Sequence, residues 1–316
     1  MRILVVGAGA IGGYFGGRLM QAGRDVTFLV RARRGRELAD AGLVIKSPKG
    51  DVTLSDPATV LAEDLTDTYD LVLLSCKAYD LDQAIDAIAP AIGPSTMILP
   101  LLNGMRHLEV LIDRFGGSHV LGGQCMIGAT LNESRAVVHL NETHLLTFGE
   151  LGGGLSARIH SLAGVLGNAG FDARPSEQIV QDMWEKWVFL ATLASSTCLM
   201  RAPIGDILAV PGGSDLILAL FEECRNIAES EGFAPRAEFV ERSRSMLTAS
   251  DSPLAASMLR DIEAHARIEA DQITGDLLRR RRSAPAGHHR SLLVVAYAHM
   301  KAYEARRART PAPGPR

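Results

Sequence analysis

Cysteine is scarce in this chain of 316 residues: Cys76, Cys125, Cys198 and Cys224 are widely spaced and form no CxxC pair. That excludes a disulfide framework and a zinc site built on paired cysteines, and it points to a reducing cytoplasm with no bound metal. An excess of either charge is also missing, since 33 Lys and Arg stand against 36 Asp and Glu for a net charge of −3. Such a balance gives no general pull toward nucleic acid or an anionic membrane surface. Long apolar runs are absent too. Ile3 to Phe15 is broken by glycines and lacks the small-residue cleavage site of a signal peptide. Trp187 to Met200 covers 14 residues and carries Ser and Thr, short of the roughly 20 needed to cross a bilayer, so it reads as a buried core helix. What remains is the composition of an ordinary globular protein, 47% hydrophobic, whose length predicts two domains at about 150 residues each. Small molecules are the expected partners.

Up to about residue 150, short β-branched runs alternate with amphipathic stretches, the pattern of βαβ units on a parallel sheet. Ile3–Val6, Val26–Val30, Leu71–Ser75 and Met97–Leu101 read as strands. Ala10–Ala22, Arg34–Ala41, Leu81–Ile88 and Met105–Phe115 read as the helices after them. Val120–Ala129, Ala136–Leu140 and His144–Phe148 read as a meander, with a turn at Asn141–Thr143, that extends the sheet antiparallel at one edge. A helix over about 156–168 and a short strand near Phe171 follow. From Ser176, a candidate N-cap, only helical periodicity is found, broken at Pro203, Pro211, Gly232, Pro253 and Pro285. The expected division is 1–174 and 175–316, with the Arg- and Pro-rich end frayed from about 306 and Arg279–Arg282 closing a helix.

Gly7-Ala8-Gly9-Ala10-Ile11-Gly12 is a GxGxxG between a predicted strand and a predicted helix. The first glycine permits a tight turn, the second lets backbone approach a pyrophosphate, and the third lets helix and strand pack closely. The helix start adds N–H donors and positive dipole at the loop that includes Ala10 and Ile11. These features predict an α/β Rossmann-type dinucleotide-binding domain followed by an all-α domain. At the end of the second strand, where an NAD-selective site places Asp or Glu, this chain has Arg31, with Arg33 and Arg34 close behind. A guanidinium matches a 2′-phosphate, so the expected cofactor is NADP(H), with Arg31 its reader. Lys77 and Asn103 follow two later strands, at the carboxyl edge where open α/β sheets bind ligands.

The order of these motifs resembles the ketopantoate reductase (2-dehydropantoate 2-reductase) family over nearly the whole chain. The matching stretches are the glycine loop, Arg31, Cys-Lys-Ala-Tyr at 76–79, Asn-Gly-Met at 103–105 and Phe-Gly-Glu-Leu at 148–151. They continue with Trp-Glu-Lys at 184–186 and Ser-Met-Leu-Arg-Asp-Ile at 257–262, leading to Glu269. The resemblance implies a Rossmann domain, a helical domain and an active site in the cleft between them. It implies Lys186 as the proton donor to a carbonyl oxygen, Glu269 as the acid that positions lysine and substrate, Lys77 and Asn103 as contacts to cofactor and substrate, and Ser257 as a ligand of the substrate carboxylate. A cation beside a ketone stabilises the alkoxide charge that reduction creates, then neutralises it by proton transfer.

The chain also departs from the family. Where two asparagines usually follow the lysine by one and two helical turns, it has Leu190 and Ala194, and Thr274 replaces an asparagine after the glutamate. Positions i+4 and i+8 share a helix face, so that wall is apolar unless Thr192, Ser195 or Thr197 reach in. The expected activity is NADPH-dependent reduction of 2-dehydropantoate to pantoate in the cytoplasm. Reduction of a less polar 2-oxo acid is the alternative enzyme, and an NADPH sensor without chemistry is the alternative of another class. The amphipathic helices of the second half are compatible with a homodimer.

Overall fold

The structure, a computed structural model, describes residues 1–282 and 291–309. The chain divides into two compact units, residues 1–102 with 107–180 and residues 103–106 with 181–316.

In the first unit, β1 (Arg2–Val6) leads through the glycine loop into α1 (Ala10–Gln21), β2 (Asp25–Leu29) and α2 (Ala32–Ala41). Then come β3 (Leu43–Lys46), β4 (Val52–Leu54), β5 (Thr59–Val60), β6 (Tyr69–Leu74), α3 (Leu81–Ile88), β7 (Ile92–Pro100) and α4 (Arg106–Phe115). The unit closes with β8 (Leu121–Leu131), β9 (Val137–Glu150), α5 (Ala157–Leu166) and β10 (Asp172–Pro175). The first sheet runs β5-β2-β1-β6-β7, all parallel. Its central strands are apolar on both faces, as a parallel sheet covered on both sides requires: Ile3, Leu4, Val5 and Leu71 to Leu74 are fully buried. The order turns outward in opposite directions from β1 and β6, which opens a crevice at their carboxyl ends.

The expected antiparallel meander does not extend that sheet. It builds a second five-stranded sheet, β10-β9-β3-β4 with β8 paired to β9, joined to the first by one isolated bridge, Ile98 to Val120. Nor does the chain turn at Asn141–Thr143, because β9 runs unbroken through these exposed residues. The cause is visible in α1, which packs two of its sides at once. A Cβ on Gly16 would come within 2.7 Å of the Phe28 ring in the first sheet, whereas Cβ atoms on Gly13 and Gly17 would come within 2.8 Å of Val137 and 2.7 Å of Ile45 in the second. Glycine makes the helix thin enough to sit between two sheets that share one core.

In the second unit, α6 (Ile179–Met200) is followed by α7 (Ile204–Leu208), α8 (Gly213–Ser230), α9 (Ala237–Leu247) and α10 (Ser257–Glu263). A π-helical turn over Asp271–Gly275 runs into α11 (Asp276–Arg279), and α12 (Leu292–Arg309) comes last. No strand occurs here among the described residues. Pro203 caps α7, and Gly232, at φ +91°, ends the helix before it. Ser176 does not cap α6: its Oγ accepts from the Gln178 N–H at 3.1 Å, and the helix begins three residues on at Ile179. Arg279 and Arg280 close the helix onto Asp276. Arg306 to Arg309 are helical, while Pro285 and the remainder of the expected frayed end lie outside the described residues.

Candidate functional site

The glycine loop begins as the sequence requires. Gly7 takes φ +90°, a value that favours glycine, and its N–H donates to Leu29 O at 2.9 Å, tying the loop to β2. Gly12 has no room for a side chain, since a Cβ would stand 2.1 Å from Gly7 O and 2.2 Å from Ser75 Oγ. Ser75 Oγ in turn donates to Val6 O at 2.8 Å, so the loop is braced from β6. Gly9 differs: a Cβ built there meets no atom within 4 Å. It also stands as the N-cap of α1 without a side-chain cap, and no acidic residue lies in the first turn with Ala10 and Ile11. Open space in front of a helix start with N–H donors and no competing carboxylate fits a dinucleotide pyrophosphate.

The three arginines after β2 separate. Arg34 Nε donates to Ala8 O at 3.0 Å and its Nη1 to Glu37 at 3.2 Å, so this half-buried side chain braces the glycine loop. Arg33 pairs with Glu37 at 3.0 Å. Arg31, with 71% of its side chain exposed, is held by Asp80 at 3.1 Å and Gln83 at 3.2 Å. Asp80 belongs to the short turn that Lys77 begins, and Lys77 is itself half-buried at the carboxyl end of β6. Arg31 and Lys77 therefore stand on adjoining pieces of the same crevice rim. No group of three His, Cys, Asp or Glu side chains suited to a metal ion occurs among the described residues.

In the second unit, Lys186 Nζ donates to Asn103 Oδ1 at 3.0 Å. These residues stand 83 positions apart in the chain. Lys186 is half-buried on α6 between Trp184 and Trp187, both buried. The roll of this helix is fixed by the buried Glu185, whose carboxylate accepts from Arg236 Nε at 2.7 Å and Arg236 N–H at 2.8 Å. Glu185 pushes the Arg236 guanidinium above its ordinary value, with burial opposing and Asp182 assisting. Glu185 is thus bound into an ion pair with Arg236.

Glu269 is half-buried immediately before the π-turn, its carbonyl accepting from Ile273 N–H at 3.0 Å. Ser257 opens α10, and the N–H before it, of Ala256, donates to Thr197 Oγ1 at 3.4 Å. Thr197 lies 11 residues beyond Lys186, about 16 Å along the helix. Lys186 and Asn103 are therefore joined directly, Glu269 lies near the segment that holds them, and Ser257 lies toward the far end of α6. Leu190 is half-buried and Ala194 buried. Thr192, Ser196 and Thr197 donate to the helix carbonyls of Val188, Thr192 and Leu193. Ser195 Oγ pairs with Thr274 Oγ1 at 3.5 Å.

Sequence reasoning missed Gln272. This buried side chain donates from Nε2 to the Asn103 carbonyl at 2.9 Å. No local pattern announces a bond across 169 residues.

Residues 3–153 match the family described as ketopantoate reductase PanE/ApbA, and residues 178–299 match its C-terminal part. A protein of Bacillus subtilis (strain 168), named uncharacterized oxidoreductase YkpB, is 36% identical over 96% of this chain and 99% of its own. The crystal structure of 2-dehydropantoate 2-reductase from Methylococcus capsulatus is similar at a TM-score of 0.83, with 28% identity over 98% of this chain and 99% of that one. A D-mandelate dehydrogenase, solved with NADH and anilino(oxo)acetate, shares the fold at a TM-score of 0.86 and 23% identity, over 98% of this chain and all of its own.

Proposed function

The chain belongs to the ketopantoate reductase PanE/ApbA family and is an oxidoreductase acting on a CH–OH group, and from that premise we propose that it uses NADPH to reduce 2-dehydropantoate to pantoate. The observation that carries this reading is the hydrogen bond from Lys186 Nζ to Asn103 Oδ1 at 3.0 Å. It sets the Lys186 side chain on a buried helix and orients it through a side-chain amide. A carbonyl-reducing catalyst needs such a donor.

Gly7, Gly9, Ala10, Ile11 and Gly12 would hold the pyrophosphate, Arg31 the 2′-phosphate, and Lys77 and Asn103 would contact cofactor and substrate. Bound NADPH supplies a hydride to the substrate carbonyl carbon. Lys186 gives its Nζ proton to the carbonyl oxygen as negative charge develops there, and water restores the ammonium. Glu269 positions Lys186 and substrate; Ser257, toward the far end of α6, takes no part at the reacting carbonyl. The test is loss of reduced-cofactor absorbance when purified protein meets 2-dehydropantoate and NADPH. Lys186→Ala should lower kcat by about 10²- to 10⁴-fold, with dinucleotide affinity unchanged. If neither NADPH nor NADH is oxidised with any 2-oxo acid, the proposal is wrong.

A second reading, a less polar 2-oxo acid, is favoured by the Lys186 face itself. Leu190 and Ala194 offer no hydrogen bond at the next two turns, and the hydroxyls of Thr192, Ser196 and Thr197 are used on helix carbonyls. A site without those donors gives a substrate hydroxyl no partner.

A further inference from the structure

We propose that Gln272 is a positioning residue for Lys186, acting through Asn103. The inference rests on the reading of Lys186 as the proton donor and adds the means by which that donor is aimed.

Three consecutive residues of the π-turn reach three different partners. Gln272 Nε2 donates to Asn103 O at 2.9 Å. Ile273 O accepts from Trp187 Nε1 at 2.9 Å, and Trp187 is the neighbour of Lys186 on α6. Thr274 Oγ1 pairs with Ser195 Oγ at 3.5 Å, two turns further along the same helix. An α-helix places three successive side chains about 100° apart, whereas the wider π-turn alters that phase, which is why such turns recur at functional sites. Here the turn clasps α6 with two residues and the Asn103 segment with the third. Gly104 completes the fit: it takes φ +80°, and a Cβ there would lie 2.8 Å from Gln272 O, so residues 103 and 104 lie flat against the turn.

The chain of contacts is then Gln272 to the Asn103 backbone, and the Asn103 side chain to Lys186 Nζ. Gln272 touches the backbone of the residue that holds the lysine, so its loss releases the Asn103 peptide and through it the ammonium. The turn is anchored from its other side as well. Tyr297 OH donates to Asp271 Oδ1 at 2.5 Å and Lys301 Nζ pairs with Asp271 at 2.9 Å, while the Tyr297 ring fills the space where Gly275 would carry a Cβ.

The experiment compares wild type, Gln272→Leu, Gln272→Met, Asn103→Ala and the double variant Asn103→Ala/Gln272→Leu. Turnover is measured with dinucleotide affinity, and the acetylation rate of Lys186 by acetic anhydride is read by mass spectrometry. Gln272→Leu should lower kcat about 10- to 100-fold, weaken dinucleotide no more than Asn103→Ala does, and raise Lys186 acetylation several-fold. Both effects should vanish in the Asn103→Ala background, because nothing is left for Gln272 to aim. Unchanged kcat or unchanged Lys186 acetylation in Gln272→Leu overturns the proposal, as does a drop that persists undiminished beside Asn103→Ala. Gln272→Met decides the same questions if the leucine variant does not fold. Should wild type reduce no 2-oxo acid at all, the catalytic reading falls, while the acetylation rates still decide whether Gln272 holds Lys186.

Discussion

Arg31 and Arg34 stand three residues apart, and their surroundings assign them different work. Arg31 is exposed, with Asp80 and Gln83 fixing its direction, which leaves most of its guanidinium open to an anion. Arg34 spends its donors on Ala8 O, Glu37 and Arg135 O. Burial draws the Arg34 guanidinium below its ordinary value against the pull of Glu37, as expected of a charge serving the fold. Arg31→Ala is therefore expected to weaken NADPH by about 10- to 100-fold, from the loss of a charged hydrogen bond worth about 1.5–3 kcal/mol, and to leave NADH within about twofold. Arg34→Ala is expected to lower the melting temperature instead. Titration of both cofactors against both variants and wild type checks this, and equal affinity of wild type for the two cofactors would refute the 2′-phosphate assignment. On α6, Leu190→Asn/Ala194→Asn adds two amides to the Lys186 face. The ratio of kcat/KM for 2-dehydropantoate over the 2-oxo acid lacking its hydroxyl should rise at least about 10-fold in that variant. A ratio that stays flat would show that these positions do not face substrate.

The loop from β1 into α1 contains a contrast between two glycines that the motif alone does not reveal. Gly12 is filled in by its own fold, with Gly7 O and Ser75 Oγ within 2.2 Å of any added Cβ. A Cβ added to Gly9 would meet no atom within 4 Å. Gly12→Ala should lower the melting temperature because the neighbour that must shift is backbone. Gly9→Ala should melt like wild type yet bind dinucleotide at least about tenfold more weakly; calorimetry and a binding titration on the pair decide it. If Gly9→Ala binds normally, the open space is not where pyrophosphate lies. The parallel β1, β2, β6 and β7 were legible because their apolar runs are long and each is followed by a helix pattern. The strands β3, β4 and β5 were not, since two to four residues leave no periodicity to read. In β9, Leu140 to Thr143 are exposed and mostly polar and drop out of the β8 register, so the sequence resembles a turn where the strand bulges and then resumes its pairing. A register shift lies opposite, between Ile127 and Ala129, and Asn141 Oδ1 accepts from the Gly128 N–H at 3.0 Å. Within the site, Lys186 and Asn103 were found by their motif stretches. Gln272 was not, because a π-turn has no composition of its own and its partner is a carbonyl, which every residue possesses.

In the molecule as a whole, the first unit carries a polar cluster buried between α1 and its second sheet. His144 on β9 is hydrogen-bonded through Nδ1 to the Tyr14 hydroxyl of α1 at 2.7 Å, and its ring stacks on His139 at 5.7 Å. His139 is held in turn by Ser47 at 2.9 Å and Thr143 O at 3.0 Å. Burial pushes the His144 imidazole below its ordinary value; Asp172 opposes this, and the charges of His139, Lys49 and Arg18 reinforce it. A histidine depressed in the folded state binds its proton more readily when the chain unfolds, so the unfolded state gains protons first as acid is added. The stability His144 contributes is therefore complete above the unfolded imidazole pKa, about 6.5, and is lost as the pH falls from there through the lower, folded value. Because α1 starts in the glycine loop and Tyr14 lies about one turn beyond that start, the loss should be accompanied by weaker dinucleotide binding. Melting temperatures of wild type and His144→Gln at pH 7.5 and pH 5.5 provide the measurement. Wild type should lose more between the two pH values than the variant, which has no proton to bind at that site. Equal losses in the two proteins would assign the acid sensitivity of the first unit to other groups.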